Sequence, residues 1–522
     1  MSENKTLLKI SESNANHCVS NESTVSFKVP NKLAVYLPEN LDLDKIIAEN
    51  PINEFLPFQG ESVYFQKEKL MYILHLITYL PSMKKDFDYE GNAGFVPLCK
   101  KRLQDSAIHD YRPHLDYLVH CGIILEDPQY IVGEKSKGIK FIPEYDFVKI
   151  RRLYIYKKPI IKAVMGKSFQ NQIEHMDKYH YLYKWWNTQK LHIAYDEAKQ
   201  YLEKNKEKEL ALFETKYGMN DKNYFNYRLS LPKRAREGKI KYPTKQYNSA
   251  IMVVDRLQKY EYLAKIDETA GRFHTLLTQL PTELRQFVTY DGKGLVGVDL
   301  VNSQPLLATA LLDKVLFESN PILFHYIAEC NPNHNDLSLL ARFIGINQKK
   351  ADVLKYREIA SKGEYYEEFG SILQSKGLIP SDVADEDVRD FAKKATFSSF
   401  FAPNSNAKVS EPMQHFKASF PNVYATFSKI KYTPKGTKRI EKLHNALSVC
   451  LQAFEAELFL NRICRRINEV NPEIVIFTIH DSIVTTTEYV EVVKQTVAEE
   501  IYKAIKVNPK FNIEYWKSKR EE

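Results

Sequence analysis

The stretch that most constrains this chain is Glu473–Thr487, EIVIFTIHDSIVTTT. Its first half, Ile474 to Ile479, is an apolar, β-branched run that predicts a buried strand. After His480-Asp481-Ser482 a second β-branched run, Ile483 to Thr487, predicts the returning strand. The two make a hairpin with a carboxylate at its tip. Burying an unpaired charge is costly, so Asp481 needs a partner or a cation. Residues 294–305, GLVGVDLVNSQP, repeat the plan: an apolar strand ends in Asp299 and leads through polar residues into the helical run Leu306 to Leu312. Two such aspartates side by side could hold two divalent cations about 4 Å apart, which activates an attacking oxygen and stabilises a leaving one in phosphoryl transfer. Each Asp taken alone fits equally well as a turn or cap residue.

A third segment lies between them, residues 388–402, VRDFAKKATFSSFFA. Arg389, Lys393, Phe397 and Phe401 recur every four residues, so on a helix they form one stripe of two cations followed by two rings. An ordinary amphipathic helix would place apolar residues along that stripe and scatter its cations. Cations for phosphates followed by a flat face for a base suit a nucleoside triphosphate.

In order and spacing these segments resemble the A-family DNA polymerases and the related phage-type single-subunit RNA polymerases. Those enzymes carry a strand ending in a metal-binding Asp, a helix of pattern R-x3-K-x3-(F/Y/M)-x3-Y-G, and an H-D-E or H-D-S hairpin. Residues 269–275, TAGRFHT, resemble the T-x-G-R-L-S-S segment that touches the primer end, and residues 451–455, LQAFE, resemble the Gln-bearing helix that contacts the minor groove. The resemblance covers about residues 265–522. It implies an α+β right-hand fold, with an antiparallel-sheet palm at 266–315 and 436–522, helical fingers at 316–435 and a basic linker plus thumb-like helical domain at 146–265. It further implies two Mg²⁺ ions, with Mn²⁺ as a substitute, on Asp299, Asp481 and the carbonyl of Leu300. Arg389 and Lys393 would take the triphosphate, with Lys393 the proton donor to pyrophosphate. Phe397, Phe401 and Gln304 would line the nucleotide pocket, and Arg272, Gln452 and His480 would face primer and template.

The departures bear on the sugar. The first motif reads DLVNSQP where the DNA polymerases have D-Y-S-Q-x-E, so the Glu that walls off the ribose is replaced, with Gln304 and Leu306 both standing near its place. The helix ends Phe401-Ala402 instead of Tyr-Gly, and the hairpin carries Ser482 instead of Glu. The expected activity is DNA-directed DNA synthesis serving a mobile element, plasmid or phage. The alternatives are a phage-type RNA polymerase or primase-like enzyme, and a non-catalytic DNA-binding initiator or regulator.

Composition limits the rest. A chain of 522 residues predicts two to four domains. The absence of an 18-residue apolar run and of a secretory core at the N-terminus predicts no membrane partner and a cytoplasmic location. The six cysteines lack zinc-ligand spacing, so zinc is not expected. Residues 131–260 hold 28 Lys and Arg against 14 Asp and Glu, an excess that predicts a phosphate-binding surface. Residues 1–55 are expected to be poorly ordered. Residues 56–145 read as three helices and a basic β-hairpin, a pattern that resembles a winged helix-turn-helix. In that geometry Arg112, His114, Lys135 and Lys137 would approach a specific DNA site. Asp88-Tyr89-Glu90 reads as turn chemistry, and no proofreading exonuclease is expected.

Overall fold

Leu33–Pro38 (β1) pairs antiparallel with Ile150–Ile155 (β5) along its whole length, Leu33 opposite Ile155 and Pro38 opposite Ile150. The computed structural model describes residues 30–52, 65–84, 87–128, 137–186, 188–232, 235–236, 238–262, 264–330, 337–432 and 443–516. After β1 comes a helix, Leu43–Glu49 (α1), whose N-cap Asp42 accepts from the Lys45 N–H at 3.1 Å. Residues 30–52 therefore correct the expectation of poor order over 1–55. Their short apolar run sits behind a long polar leader, and its partner strand lies far along the chain.

The next elements are Lys67–Ser82 (α2), Val96–Pro97 (β2), Lys100–Asp105 (α3), Tyr111–His120 (α4), Ile124–Glu126 (β3) and Gly138–Phe141 (β4). The three strands form an antiparallel sheet in the order β2-β4-β3. Its core joins Leu74 of α2 and Leu118 of α4 to Val35 of β1 and to Ile155 and Ile160, so the packed unit extends past both expected boundaries, 56 and 145. Asp88 does serve a turn, its Oδ1 accepting from the Gly91 N–H at 2.7 Å. Glu90 does more: it is buried, and its carboxylate is held by Arg228 Nη2 at 2.7 Å and the Tyr242 hydroxyl at 2.6 Å.

Those two partners belong to the following helical region, Lys158–Met176 (α5), Tyr195–Tyr217 (α6), Asp221–Ser230 (α7) and the segment leading into Pro243–Gln258 (α8). This largely helical region also holds a short strand, Leu191–Ile193 (β6), which pairs with Val288–Tyr290 (β9) of the main sheet. A strand of three residues, LHI, carries no period that a sequence reading can detect. Trp185 and Trp186 are buried here, Trp186 meeting Phe477 edge-on at 5.1 Å.

Lys265–Ile266 (β7) and Phe273–His274 (β8) form a small hairpin before the main sheet. Within that sheet Lys293–Leu300 (β10) is central. The order is β11-β12-β10-β9-β6, where β11 is Phe477–Ile479 and β12 is Ser482–Thr486; Phe511–Tyr515 (β13) also pairs with β10. All five residues of β12 are buried, as continuous β-branched runs require.

From 303 to 430 the described chain is helical: Ser303–Leu307 (α9), Lys314–Ser319 (α10), Pro321–Cys330 (α11), Leu337–Asn347 (α12), Ala351–Lys362 (α13), Tyr365–Ser375 (α14), Asp385–Phe401 (α15), Glu411–Ser419 (α16) and Pro421–Ile430 (α17). Its centre is aromatic, with Tyr356, Phe369, Phe400, Phe416 and Phe427 all fully buried. Edge-on ring contacts such as Phe400–Phe427 at 5.1 Å favour this arrangement beyond simple burial. Ala446–Ala456 (α18) continues through a π-helical stretch, Glu457–Cys464, into Arg465–Val470 (α19), and Val490–Ile505 (α20) covers the sheet. No helix among the described residues is long and apolar enough to cross a membrane.

Breaking a buried ion pair from one side leaves the other charge desolvated and costs about 3–5 kcal/mol. Glu90→Ala, which strands Arg228 and Tyr242 together, is therefore expected to destabilise the protein by roughly that amount. Urea denaturation measures it, and a loss below about 1 kcal/mol, as for an exposed pair, would show that the contact does not hold the two regions together.

Candidate active site

The sheet brings Asp299 and Asp481 side by side. Asp299 is the penultimate residue of β10, and its Cα partner is Ser482, the residue after Asp481. The β11–β12 connection is only His480-Asp481, with Ile479 opposite Ser482. His480 takes a left-handed backbone, φ +55°, and Asn302 does the same, φ +54°, where β10 turns into α9. Two non-glycine residues in that sparsely populated region flank the carboxylate pair, the kind of local strain that sites concentrate. The Leu300 N–H donates to the Asp481 carbonyl at 3.3 Å and ties the two turns together.

Burial, reinforced by the charges of Asp481 and Glu514, pushes the Asp299 carboxyl up to about 7, while Arg285 opposes the shift. Asp481 is also raised, chiefly by burial, against hydrogen bonds from a backbone N–H and the Ser303 hydroxyl. Two carboxylates this close that cannot both ionise freely form an all-oxygen donor pair that a divalent cation would relieve. Among the described residues no group of three or more His, Cys, Asp or Glu is arranged as a metal site. A small hard cation that takes one or two carboxylates and fills its shell with water and phosphate suits such a pair.

Glu514 was not evident from the sequence. It lies on β13 opposite Gly297, with its Oε2 2.5 Å from Arg285 Nη1. A Cβ at Gly297 would stand 3.3 Å from Ser482 Oγ and 3.8 Å from Glu514 Oε2, so the glycine leaves both side chains room over β10.

The loop before β8 presents Arg272. Asp267 accepts from the N–H groups of Thr269, Ala270 and Arg272 at 2.8–3.0 Å and lies 3.1 Å from His274 Nε2. Against its partial burial, these bonds hold Asp267 well below the usual carboxylate range. Arg272 Nη2 then reaches Glu455 Oε1 on α18 at 2.6 Å, while Gln304 Nε2 reaches Glu455 Oε2 at 2.5 Å. Glu455 is 2% exposed, and burial pushes it up to about 7 against the pull of Arg272. Gln452 lies one turn earlier on α18 and is partly exposed. Leu306, the other residue near the sugar-side position, is buried in the core. Buried polar atoms without partners among the described residues gather here: Arg272 Nε, Asn302 Nδ2 and Gln304 Oε1. Native structures rarely leave such atoms unsatisfied, so a ligand is expected to meet them.

Helix α15 carries the cation and ring stripe. Lys393 is exposed and makes no ion pair among the described residues. Arg389 is bound to Glu367 at 2.8 Å and lies 5.4 Å over the ring of Tyr366. Phe397 and Phe401 stack on each other at 5.4 Å, and Phe397 meets Tyr366 at 6.4 Å. Burial raises the Tyr366 hydroxyl against the opposing charge of Arg389, and the Asp481 charge raises it further. Buried Lys431 fixes the end of α15, donating to the carbonyls of Ser399 at 2.5 Å and Ala402 at 3.0 Å. Burial lowers it to about 8.

In the N-terminal unit the expected DNA contacts need correction. His114 is fully buried, stacked on Phe65 at 4.4 Å, with its Nε2 receiving the Gln66 N–H. Arg112 is bound by Asp116 and by Glu126, the latter at 2.8 Å, so its charge is spent within the unit. Lys137 is half exposed and 3.7 Å from the same Glu126, while Lys135 lies outside the described residues. Part of the basic excess at 131–260 is likewise internal: Arg152 pairs with Glu261, Arg228 with Glu90, and Arg236 caps carbonyls of Leu229 and Leu231.

No protein-family model and no curated protein matches this chain. Among solved structures it is similar to the POL domain of Pol1 from M. smegmatis, in complex with DNA primer-template and dNTP. The two are 12% identical with a TM-score of 0.38, over 68% of this chain and 73% of that one. A likeness so distant carries none of the assignment of the site.

The Asp299 shift has a consequence for stability. In the folded, cation-free protein its carboxyl keeps its proton up to about pH 7, whereas the unfolded chain releases it near 3.8. Its contribution is therefore complete below the unfolded value and lost as pH rises through the folded one. In buffer with EDTA, thermal stability is expected to fall between about pH 4 and about pH 7, and Asp299→Asn to lessen that fall. Thermal melts of both proteins across that range check it, and parallel curves would refute it.

Proposed function

We propose that this chain is a template-directed nucleotidyltransferase of right-hand architecture, and that it is a DNA polymerase. The observation that carries the reading is the pairing of Asp299 with the Asp481 hairpin on adjacent antiparallel strands. In this reading β9–β13 and the helices packed on them form the palm, α10–α17 the fingers, and α5–α8 a thumb-like part. The order and spacing of the motifs support it, as do the unpartnered polar atoms that surround the carboxylates.

Each residue has a role that follows from its chemistry. Arg389 and Lys393 bind the triphosphate, Arg389 exchanging Glu367 for phosphate oxygens. Phe397 and Phe401 form the flat wall for base and sugar, and Gln304 stands on the sugar side. Arg272, Gln452 and His480 face the primer end and the template groove. Two Mg²⁺ ions, or Mn²⁺, held by Asp299, Asp481 and the Leu300 carbonyl, would supply Lewis acidity for the attacking hydroxyl and charge for the leaving group. The primer 3′-hydroxyl releases its proton to solvent, its oxygen bonds to the α-phosphorus as the α–β bridging bond breaks, and Lys393 gives a proton to the departing pyrophosphate.

The three helices and the β2-β4-β3 sheet of the N-terminal unit support a winged-helix reading. With His114 buried and Arg112 paired to Asp116 and Glu126, the half-exposed Lys137, more loosely held by Glu126 at 3.7 Å, would be the residue of this set to contact DNA phosphates. That bias fits a positioning module better than a base reader.

Asp299→Asn and Asp481→Asn each remove a carboxylate without creating a cavity. Either is expected to lower Mg²⁺-dependent primer extension at least about a hundredfold while leaving the circular dichroism spectrum and primer-template affinity unchanged. Extension retained above about a hundredth of the wild-type rate would overturn the assignment.

A further inference from the structure

The contact between Glu455 and Gln304 carries chemical information beyond its strength. A carboxylate can only accept hydrogen bonds, so the end of the Gln304 amide that lies 2.5 Å from Glu455 Oε2 is its NH2 group. The other end, Oε1, is buried and has no partner among the described residues. Glu455 cannot turn away to release the amide. Its second oxygen is bound to Arg272 at 2.6 Å, the Ser303 hydroxyl lies 3.5 Å from Oε2, and the side chain is enclosed within the fold.

Gln304 opens the first turn of α9, five residues after Asp299, and its neighbour Ser303 donates to Asp481. The free carbonyl therefore lies near the carboxylate pair, on the side that the polymerase reading gives to the sugar of an incoming nucleotide. We propose that Glu455 is a positioning residue for sugar recognition: by locking the Gln304 amide it presents a lone acceptor, which favours a nucleotide whose sugar offers a 2′-hydroxyl donor. This rests on the polymerase reading and sharpens it. Phe397 crowds the sugar side, yet the polar group beside it rewards ribose, so the enzyme accepts ribonucleotides alongside deoxynucleotides. A buried acceptor left unpaired loses about one hydrogen bond, a factor of about five.

The test uses 2′-fluoro nucleotides, which match the hydroxyl in size and cannot donate. Steady-state kcat/KM is measured for the full chain on a primed template with Mg²⁺ at pH 8, where Glu455 is ionised, using matched NTP, 2′-fluoro-dNTP and dNTP. The wild type is expected to prefer the 2′-hydroxyl over 2′-fluoro about fivefold. In Gln304→Leu, which has no acceptor, and in Glu455→Gln, whose amide lets Gln304 adopt either orientation, that preference is expected to fall below about twofold. Loss of fold alone would lower all three substrates together and leave the ratio unchanged. Thermal melts identify a variant that does not fold, and Gln304→Leu then decides by itself. An unchanged hydroxyl-to-fluoro ratio in Gln304→Leu, or no preference in the wild type, overturns the inference. Absence of any Mg²⁺-dependent incorporation by the wild type overturns the polymerase reading beneath it.

Discussion

The structure depends on two carboxylates that repel each other being held together by a sheet. Left to themselves Asp299 and Asp481 would separate into water. The register of β10 against β12, and the hydrogen bond from Leu300 N–H to the Asp481 carbonyl, do not allow it. The cost appears as proton affinity, with Asp299 raised to about 7 by burial and by its neighbours' charge. Everything nearby accommodates that cost: Gly297 leaves space, Arg285 opposes the charge, and His480 and Asn302 adopt backbone angles that keep the turns short. Such stored repulsion makes a site receptive to cations before any ligand arrives.

The helical half is built in the opposite way. It has few charges inside, and its rings lock edge to face around Tyr356 and Phe400. A rigid aromatic core of this kind lets α15 act as a bar whose exposed side carries Arg389 and Lys393. Buried Lys431 caps its end, and Arg389 is steered by Glu367 and the Tyr366 ring.

How much of this was legible beforehand follows from the range of each signal. The hairpin and the first aspartate strand were legible because a β-branched run interrupted by one acid is a local pattern. The stripe on α15 was legible because a four-residue repeat is local too. Glu455 and Glu514 were not, since a lone acid on a helix or near a strand end looks like any solvated charge until distant residues enclose it. His114 misled for the converse reason: a histidine early in a basic helix suggests DNA, and only the Phe65 ring and the Gln66 N–H, from another part of the chain, show that it is core. β1 and β6 escaped notice because their partners are remote, β1 meeting β5 and β6 meeting β9.

That remoteness also sets the order in which the molecule can be built. Leu33 has to wait for Ile155, a gap of about 120 residues that takes roughly 6–24 s to synthesise. During that interval an apolar strand has no partner and must be kept from other chains. β10 waits longer still, first for β12 and then for β13. The aspartate pair therefore comes into being only once β12 has followed β10, so a chain released before that point carries Asp299 and α15 without Asp481.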